Sequence, residues 1–344
     1  MIERTGLAPG YEISRVIKGG WQLSAGHSDG VSADPLRDMQ AFVAAGIDTF
    51  DCADIYTGVE ELIGRFIAER RANGVRALPR VHTKCVPDYD ALAGLRREDI
   101  VAIVDRSLQR LGVERLDLVQ FHWWNYAVPG DIEAALWLTE LQKAGKIDLL
   151  GLTNFNSQRT RELLRAGVPL ASTQVQYSLL DPRPENRLAA LCLESGMKLL
   201  CYGTLAGGFL SERWLGRSEP EHFENRSLIK YHLMIEEAGG WELFQELLGT
   251  LKQIADRHAV SVATVAARWV LDQPAVAAVI IGARNTKHLP RYAELFSIRL
   301  TEQDRSEIED LRQQMRRPPH DVFDLERDRD GPHGRIMKYN LNTG

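Results

Sequence analysis

Long apolar runs are missing from this sequence. The most apolar stretch, Ala275–Ala283, falls far short of the roughly 20 residues that cross a bilayer and has the length of a buried strand. Excess basic charge is missing too. The 42 lysines and arginines stand against 47 acidic residues, for a net charge of −5, and form no basic stripe. Nucleic acid and anionic membranes are therefore not expected as partners. Cysteine is scarce: Cys52, Cys85, Cys192 and Cys201 show neither a CxxC pair nor zinc-ligand spacing, and no metal site is expected. Each lies in or beside an apolar run, as free thiols do in a reducing cytoplasm. Met1–Gly10 lacks the apolar core and the small-residue cleavage site of a signal peptide, so a cytoplasmic location is expected. The GxGxxG phosphate loop is also absent. Lys18-Gly19-Gly20-Trp21 follows the first β-rich run instead, which disfavours a doubly wound dinucleotide-binding sheet.

What is present is a regular alternation. With 44% hydrophobic and 26% charged residues in 344, the chain can bury a full core. Strands are predicted at Val16–Lys18, Ile47–Cys52, Arg80–Cys85, Leu116–His122, Ile147–Leu152, Ser172–Tyr177, Lys198–Tyr202 and Val276–Ile281. Amphipathic helices are predicted between them at Asp34–Ala45, Glu60–Arg71, Arg97–Leu111, Ile132–Ala144, Ser157–Ala166, Glu185–Ser195, Trp241–Arg257 and Val262–Leu271. Near-continuous apolar strands such as LDLVQF and AVAAVII suit parallel pairing covered on both faces. Eight βα units in this length predict one (β/α)8 barrel domain over residues 1–344, with no linker composition dividing it. Two segments interrupt the alternation. Leu210–Gly240 is a charged insertion after the seventh strand, placed where barrel loops carry function. Pro318–Gly344 is a polar tail, expected to lie over the barrel or to be partly disordered.

A barrel presents its chemistry at the C-terminal ends of its strands. Asp51 ends the second strand with Tyr56 in the loop after it; Lys84 ends the third and His122 the fourth. Three consecutive strands and the loop after the first of them can thus bring these four side chains to one spot. A phenol is a poor acid near neutral pH, and a nearby ammonium lowers its pKa. Lys84 is the ammonium, and Asp51 holds it charged. His122 is expected to donate a hydrogen bond to a carbonyl oxygen. Such a site suits protonation of an oxygen that receives a hydride, and the hydride must come from a cofactor, since no side chain supplies one. Taken singly each residue has an ordinary reading: a solvated lysine, a core histidine, a helix-capping aspartate. Their joint position gives the chemical one.

These residues resemble the aldo-keto reductase superfamily. Asp48-Thr49-Phe50-Asp51-Cys52-Ala53-Asp54-Ile55-Tyr56 with Glu60-Glu61-Leu62-Ile63-Gly64, Val81-His82-Thr83-Lys84, and Leu118-Val119-Gln120-Phe121-His122-Trp123 are similar to the segments around that family's catalytic tetrad. The similarity runs from Val16 to Leu311. It implies Tyr56 as general acid, tuned by Lys84 and Asp51, with His122 orienting a small-molecule carbonyl substrate. It implies an NADP cofactor, NADPH in preference to NADH. Thr153, Asn154 and Gln174 would hold the nicotinamide amide, and Tyr202 would stack on its ring. Gly203–Leu210, including Leu205 and Gly207, would cradle the pyrophosphate, with Gly20 a further contact. Gly282, Arg284 and His288 would lie at the adenosine phosphate, where the chain departs from the family: Gly282 stands for a common lysine, and Arg291-Tyr292 for a Glu-Asn pair. Trp21 and Trp123 match aromatic pocket positions, with Trp124 beside them.

Two other readings fit the same residues. Lys84 could act as a Schiff-base nucleophile, which would require it to be neutral. Some proteins of this fold are instead cofactor-sensing regulatory subunits. As an enzyme the chain is expected to be a monomer or small homo-oligomer.

Overall fold

The structure is a computed structural model that describes residues 1–24, 32–223 and 226–342. It opens with an antiparallel hairpin, β1 (Arg4–Ala8) and β2 (Tyr11–Ser14). Eight parallel strands follow: β3 (Val16–Gly19), β4 (Thr49–Asp51), β5 (Arg80–Cys85), β6 (Leu116–Phe121), β7 (Ile147–Thr153), β8 (Leu170–Gln176), β9 (Lys198–Tyr202) and β10 (Val276–Gly282). They pair in sequence order, and β10 pairs back to β3, which closes the barrel expected from the sequence.

The outer ring comprises α1 (Pro35–Ala44), α2 (Val59–Ala72), α3 (Arg97–Leu111), α4 (Asp131–Lys143), α5 (Ser157–Arg165), α6 (Leu188–Ser195), α7 (Arg226–Ala238), α8 (Trp241–Arg257) and α9 (Val262–Leu271). Short α10 (Leu289–Tyr292), then α11 (Glu302–Arg312), α12 (Asp324–Arg327) and α13 (Pro332–Arg335) complete the chain. Local chemistry explains several boundaries. The Asp34 and Asn156 side chains cap the starts of α1 and α5, and Gly112, in the left-handed region, ends α3. Among the described residues, no helix is long and apolar enough to cross a membrane.

The core has two parts. Between the strands and the helices lies a continuous apolar shell that includes Val16, Phe50, Cys52, Cys85, Phe121 and Val175. Inside the barrel, Ile17, Leu118, Leu200, Ala278 and Ile280 pack against Leu7, Tyr11 and Ile13 of the hairpin. The hairpin therefore stoppers the N-terminal end, and the Tyr11 hydroxyl lies 3.3 Å from Nε2 of the buried His82. Strand alternation sends Cys52 and Cys85 outward, where both are fully buried free thiols.

Neither irregular segment is structureless. The insertion after β9 contains α7, which buries Met234, Ile235 and Ala238 and packs against α8, α13 and the turn at Ala206–Gly208. The tail folds back across the C-terminal end. The Glu326 carboxylate binds Arg183 at 2.9 and 3.1 Å, and the Arg327 guanidinium donates to the backbone oxygens of Trp123 at 2.7 Å and Asn154 at 2.6 Å. The Asn342 side chain donates to the Val86 oxygen at 2.7 Å, which secures the end of the segment beside β5.

Candidate active site

The interior of the barrel turns polar at the C-terminal ends of its strands. Alternation along β4, β5, β6 and β8 points Asp51, Lys84, Gln120 and Gln174 inward at one level. Lys84 Nζ donates to Asp51 Oδ2 at 2.8 Å and to the Cys52 carbonyl at 2.7 Å. The other carboxylate oxygen, Oδ1, accepts from Gln120 Nε2 at 3.1 Å and Gln174 Nε2 at 2.6 Å, and the two glutamines bond each other at 3.0 Å. Both ions of the pair are only 5% exposed at the side chain. Burial alone would lower the lysine's pKa; the Asp51 carboxylate and the Tyr56 oxygen outweigh it and hold the ammonium above its ordinary range. A lysine kept charged in this way is not a free amine nucleophile.

Tyr56 lies directly beside this layer, with Lys84 Nζ 4.7 Å from its ring centroid. Lys84 does lower the phenol's pKa, as expected, but it does not set the net direction. Burial of the hydroxyl pushes it up, and the nearby ammonium offsets that rise without overcoming it. The phenol therefore keeps its proton at neutral pH. The Trp21 ring packs against Tyr56 at 4.9 Å between centroids.

His122 is buried, and its Nδ1 lies 3.0 Å from the Thr153 carbonyl oxygen. A carbonyl only accepts, so Nδ1 carries the proton. Burial and the Arg327 cation depress the ring's pKa to about 3, so the imidazole is neutral. Its other nitrogen, Nε2, then bears a lone pair, and among the described residues it has no hydrogen-bond partner. In this state Nε2 accepts; donating to a carbonyl, as the sequence reading expects, would need a second proton or loss of the Thr153 bond. Trp124 and Phe323 stand edge-on to the imidazole at 4.4 and 5.5 Å.

The residues expected around a nicotinamide are gathered on the neighbouring strands. Asn154 adopts a left-handed backbone, and its side-chain oxygen accepts from the Tyr202 hydroxyl at 2.9 Å. Gln174 is tied to Asp51. Gly203 and Gly207 have φ of +68° and +65°, which favours glycine, and the Leu205 oxygen accepts the turn bond from Gly208. A Cβ on either glycine would lie 2.7 Å from the Tyr231 side chain, so α7 rests directly on this loop. Gly20 makes a close backbone approach, its N–H bonding the Asp51 oxygen at 2.7 Å. Gly282 faces the Gln22 side chain. Around His288, Arg291, Lys287 and Arg284 are close enough for their charges to depress its pKa together with burial. A basic cluster thus stands at the β10 end of the mouth.

One expected pocket residue is misplaced. Trp123 is fully buried and turned outward by strand alternation, and its indole N–H donates to the Asn125 and Val128 oxygens at 3.0 Å. It packs beneath its own loop, and Trp124 is the residue that reaches His122. Sequence reasoning also missed several participants. Gln120 was legible, two residues before His122 on the same strand face. Phe323, Glu326, Arg327 and Lys230 come from the tail and the insertion, whose irregular sequences carry no positional signal.

The residues fit a nicotinamide dinucleotide: an orphaned buried imidazole nitrogen, a glycine-built loop and a basic cluster lie around one barrel mouth. Comparison with known proteins agrees. A model described as the aldo/keto reductase family matches residues 15–313. The chain is 29% identical over 318 residues to aldo-keto reductase YhdN of Bacillus subtilis, covering 89% of this chain and 92% of that protein. It is 25% identical over 338 residues to the NADH-specific methylglyoxal reductase of Escherichia coli, covering 89% and 96%. Among solved structures, the glycerol dehydrogenase AKR11B4 of Gluconobacter oxydans superposes with a TM-score of 0.74 at 26% identity, covering 93% of this chain and 97% of that one.

Proposed function

Since this chain belongs to the aldo/keto reductase family, whose named relatives support a carbonyl oxidoreductase, we propose that it transfers hydride between NADP(H) and an aldehyde or ketone, with Tyr56 as the proton donor. The observation that carries this reading is the juxtaposition of Tyr56, the Lys84–Asp51 pair and the unpartnered His122 nitrogen at one mouth. When bound, the nicotinamide supplies the hydride.

The chain's own residues do the rest. Tyr56, protonated at neutral pH, donates to the carbonyl oxygen and gives up its proton as charge develops there. The Lys84 ammonium stands by to stabilise the phenolate that remains, and Asp51, anchored by Gln120 and Gln174, fixes the ammonium's position. His122 presents an acceptor at Nε2 beside the reacting oxygen, which can take the product hydroxyl's hydrogen bond once the Tyr56 phenolate has been reprotonated from solvent. Trp21, Trp124 and Phe323 exclude water around the reacting oxygen. Thr153, Asn154, Gln174 and Tyr202 would hold the nicotinamide, and the turn at Gly203, Leu205 and Gly207 with Gly20 the diphosphate. Gly282, Arg284 and His288 would meet the adenosine end. Arg284 with Lys287 and Arg291 favours the extra phosphate of NADPH, although one relative is named NADH-specific. This reading makes the protein a cytoplasmic enzyme, monomeric or a small homo-oligomer.

The test is titration of the purified protein with NADPH and NADH by nucleotide fluorescence, followed by a panel of aldehydes and ketones. Tighter NADPH binding with consumption on carbonyl addition supports the proposal. Binding without turnover favours a cofactor-sensing role, and absence of binding removes the proposal.

A further inference from the structure

Among the described residues, Lys230 is an ammonium held among rings rather than by a close counter-ion. It projects from α7, and its Nζ lies 5.1 Å from the Tyr202 ring centroid, 5.7 Å from that of Phe323 and 6.0 Å from that of Tyr231. Its contacts to oxygen among the described residues are long for a charged donor: the Tyr202 hydroxyl at 3.4 Å and Glu326 Oε1 at 3.7 Å. Glu326 is already engaged, since both its oxygens receive Arg183 at 2.9 and 3.1 Å. Arg183 also binds Asp181 twice at 2.8 Å. The lysine side chain retains 14% exposure. A mostly buried ammonium with three donors and only long contacts has capacity left for a tighter anionic partner.

The position of Lys230 says which partner. Phe323 is shared: one part of its surroundings is the Lys230 cation, and another is the His122 imidazole, 5.5 Å away. The adjacent Tyr231 turns instead to the loop at Gly203 and Gly207. Consecutive residues of α7 thus address different places. Tyr231 covers the turn assigned to the diphosphate, and Lys230 lies against Tyr202 and against Phe323, the ring that also borders His122.

We propose that Lys230 recognises an anionic group, carboxylate or phosphate, on the substrate, so that the preferred substrates are aldehydes or ketones carrying such a group, or the matching hydroxy compounds. The inference rests on the carbonyl-reductase reading above. The cofactor's diphosphate offers the same chemistry, and the experiment separates the two sources.

The probes are matched pairs that differ in charge and little in shape: succinic semialdehyde, 4-carboxybenzaldehyde and phenylglyoxylate, each beside its neutral amide. For each, kcat/KM is measured in the unaltered enzyme, in Lys230→Met and in Lys230→Arg, with NADPH affinity read separately by fluorescence without substrate. In the unaltered enzyme the charged member of at least one pair has the higher kcat/KM. Lys230→Met lowers that charged-to-neutral ratio by roughly 10- to 150-fold, the range expected for a hydrogen bond to a charged group. Lys230→Arg retains most of the ratio. An unaltered enzyme that favours the amide in every pair overturns the inference without recourse to a variant. So does a ratio unmoved by Lys230→Met, or a loss confined to NADPH affinity, which would assign the lysine to the diphosphate. If no carbonyl compound is turned over at all, it is the underlying reading that fails.

Discussion

Replacing Asp51 by asparagine tests whether the polar layer is built around one buried charge. Three donors converge on this carboxylate: Lys84 on one oxygen, and Gln120 and Gln174 on the other. Asparagine keeps the shape but offers one acceptor, so its amide nitrogen must face at least one N–H donor, and Lys84 loses its counter-ion. Breaking a buried ion pair from one side costs about 3–5 kcal/mol. Unfolding entropy of about 2.1 cal/mol/K per residue, over 344 residues, gives about 0.7 kcal/mol/K. The melting temperature of Asp51→Asn should therefore fall by about 4–7 °C, read by circular dichroism. The double variant Asp51→Asn, Lys84→Met removes the stranded ammonium and should recover most of that loss while remaining inactive. A single variant that melts within about 1 °C of the parent, or a double variant no more stable than the single, would refute the argument that Asp51 balances a buried Lys84.

Other outcomes follow from the same geometry. Tyr56→Phe should lower turnover by about 10²–10⁴-fold while NADPH still quenches protein fluorescence; undiminished turnover would remove Tyr56 as proton donor. His122 and His82 are both depressed to about 3, so each is neutral in the fold and protonated in the unfolded chain below about 6.5. Their contribution is present above about pH 6.5 and is lost as pH falls toward 3; urea melts of His122→Gln should show a shallower loss across that window. Arg284→Ala should raise KM for NADPH more than for NADH, and equal changes would detach Arg284 from the 2′-phosphate. Arg327→Ala removes donors to Trp123, Tyr126 and Asn154. Amide exchange over residues 321–327 should then accelerate on the order of 10-fold or more, whereas unchanged protection would mean that other contacts hold the tail.

The barrel was legible because its signals are periodic. Arg80–Cys85, Lys198–Tyr202, Arg97–Leu111, Trp241–Arg257 and Val262–Leu271 begin and end where apolar spacing and terminal residues predict. The second strand is shorter than expected, Thr49–Asp51, because the backbone leaves the sheet after Asp51 to carry Tyr56. The hairpin at Arg4–Ser14 escaped notice, since its strands are short and its inward residues, Leu7, Tyr11 and Ile13, make sense only once a barrel end exists to receive them. Asp51, Lys84 and His122 were legible as polar endings to apolar strands. Lys230, Phe323 and Arg327 were not, because their partners lie far away in sequence and belong to the barrel. The direction of hydrogen bonding at His122 was likewise invisible, since it depends on the Thr153 carbonyl, a backbone atom with no signature in residue type.

The stopper at the bottom of the barrel has a consequence for traffic. With Leu7, Tyr11 and Ile13 filling one end, the polar layer is closed from that side among the described residues, and on the proposed function nucleotide, carbonyl compound, water and the proton that restores Tyr56 would share the opposite end as a doorway. Sharing one doorway would make the sequence of arrivals and departures a property of the architecture, with the molecule seated deeper entering first and leaving last. The same confinement shelters the Lys84 protons from bulk exchange, so that deuterium uptake at that amine becomes a clock for how often the doorway opens.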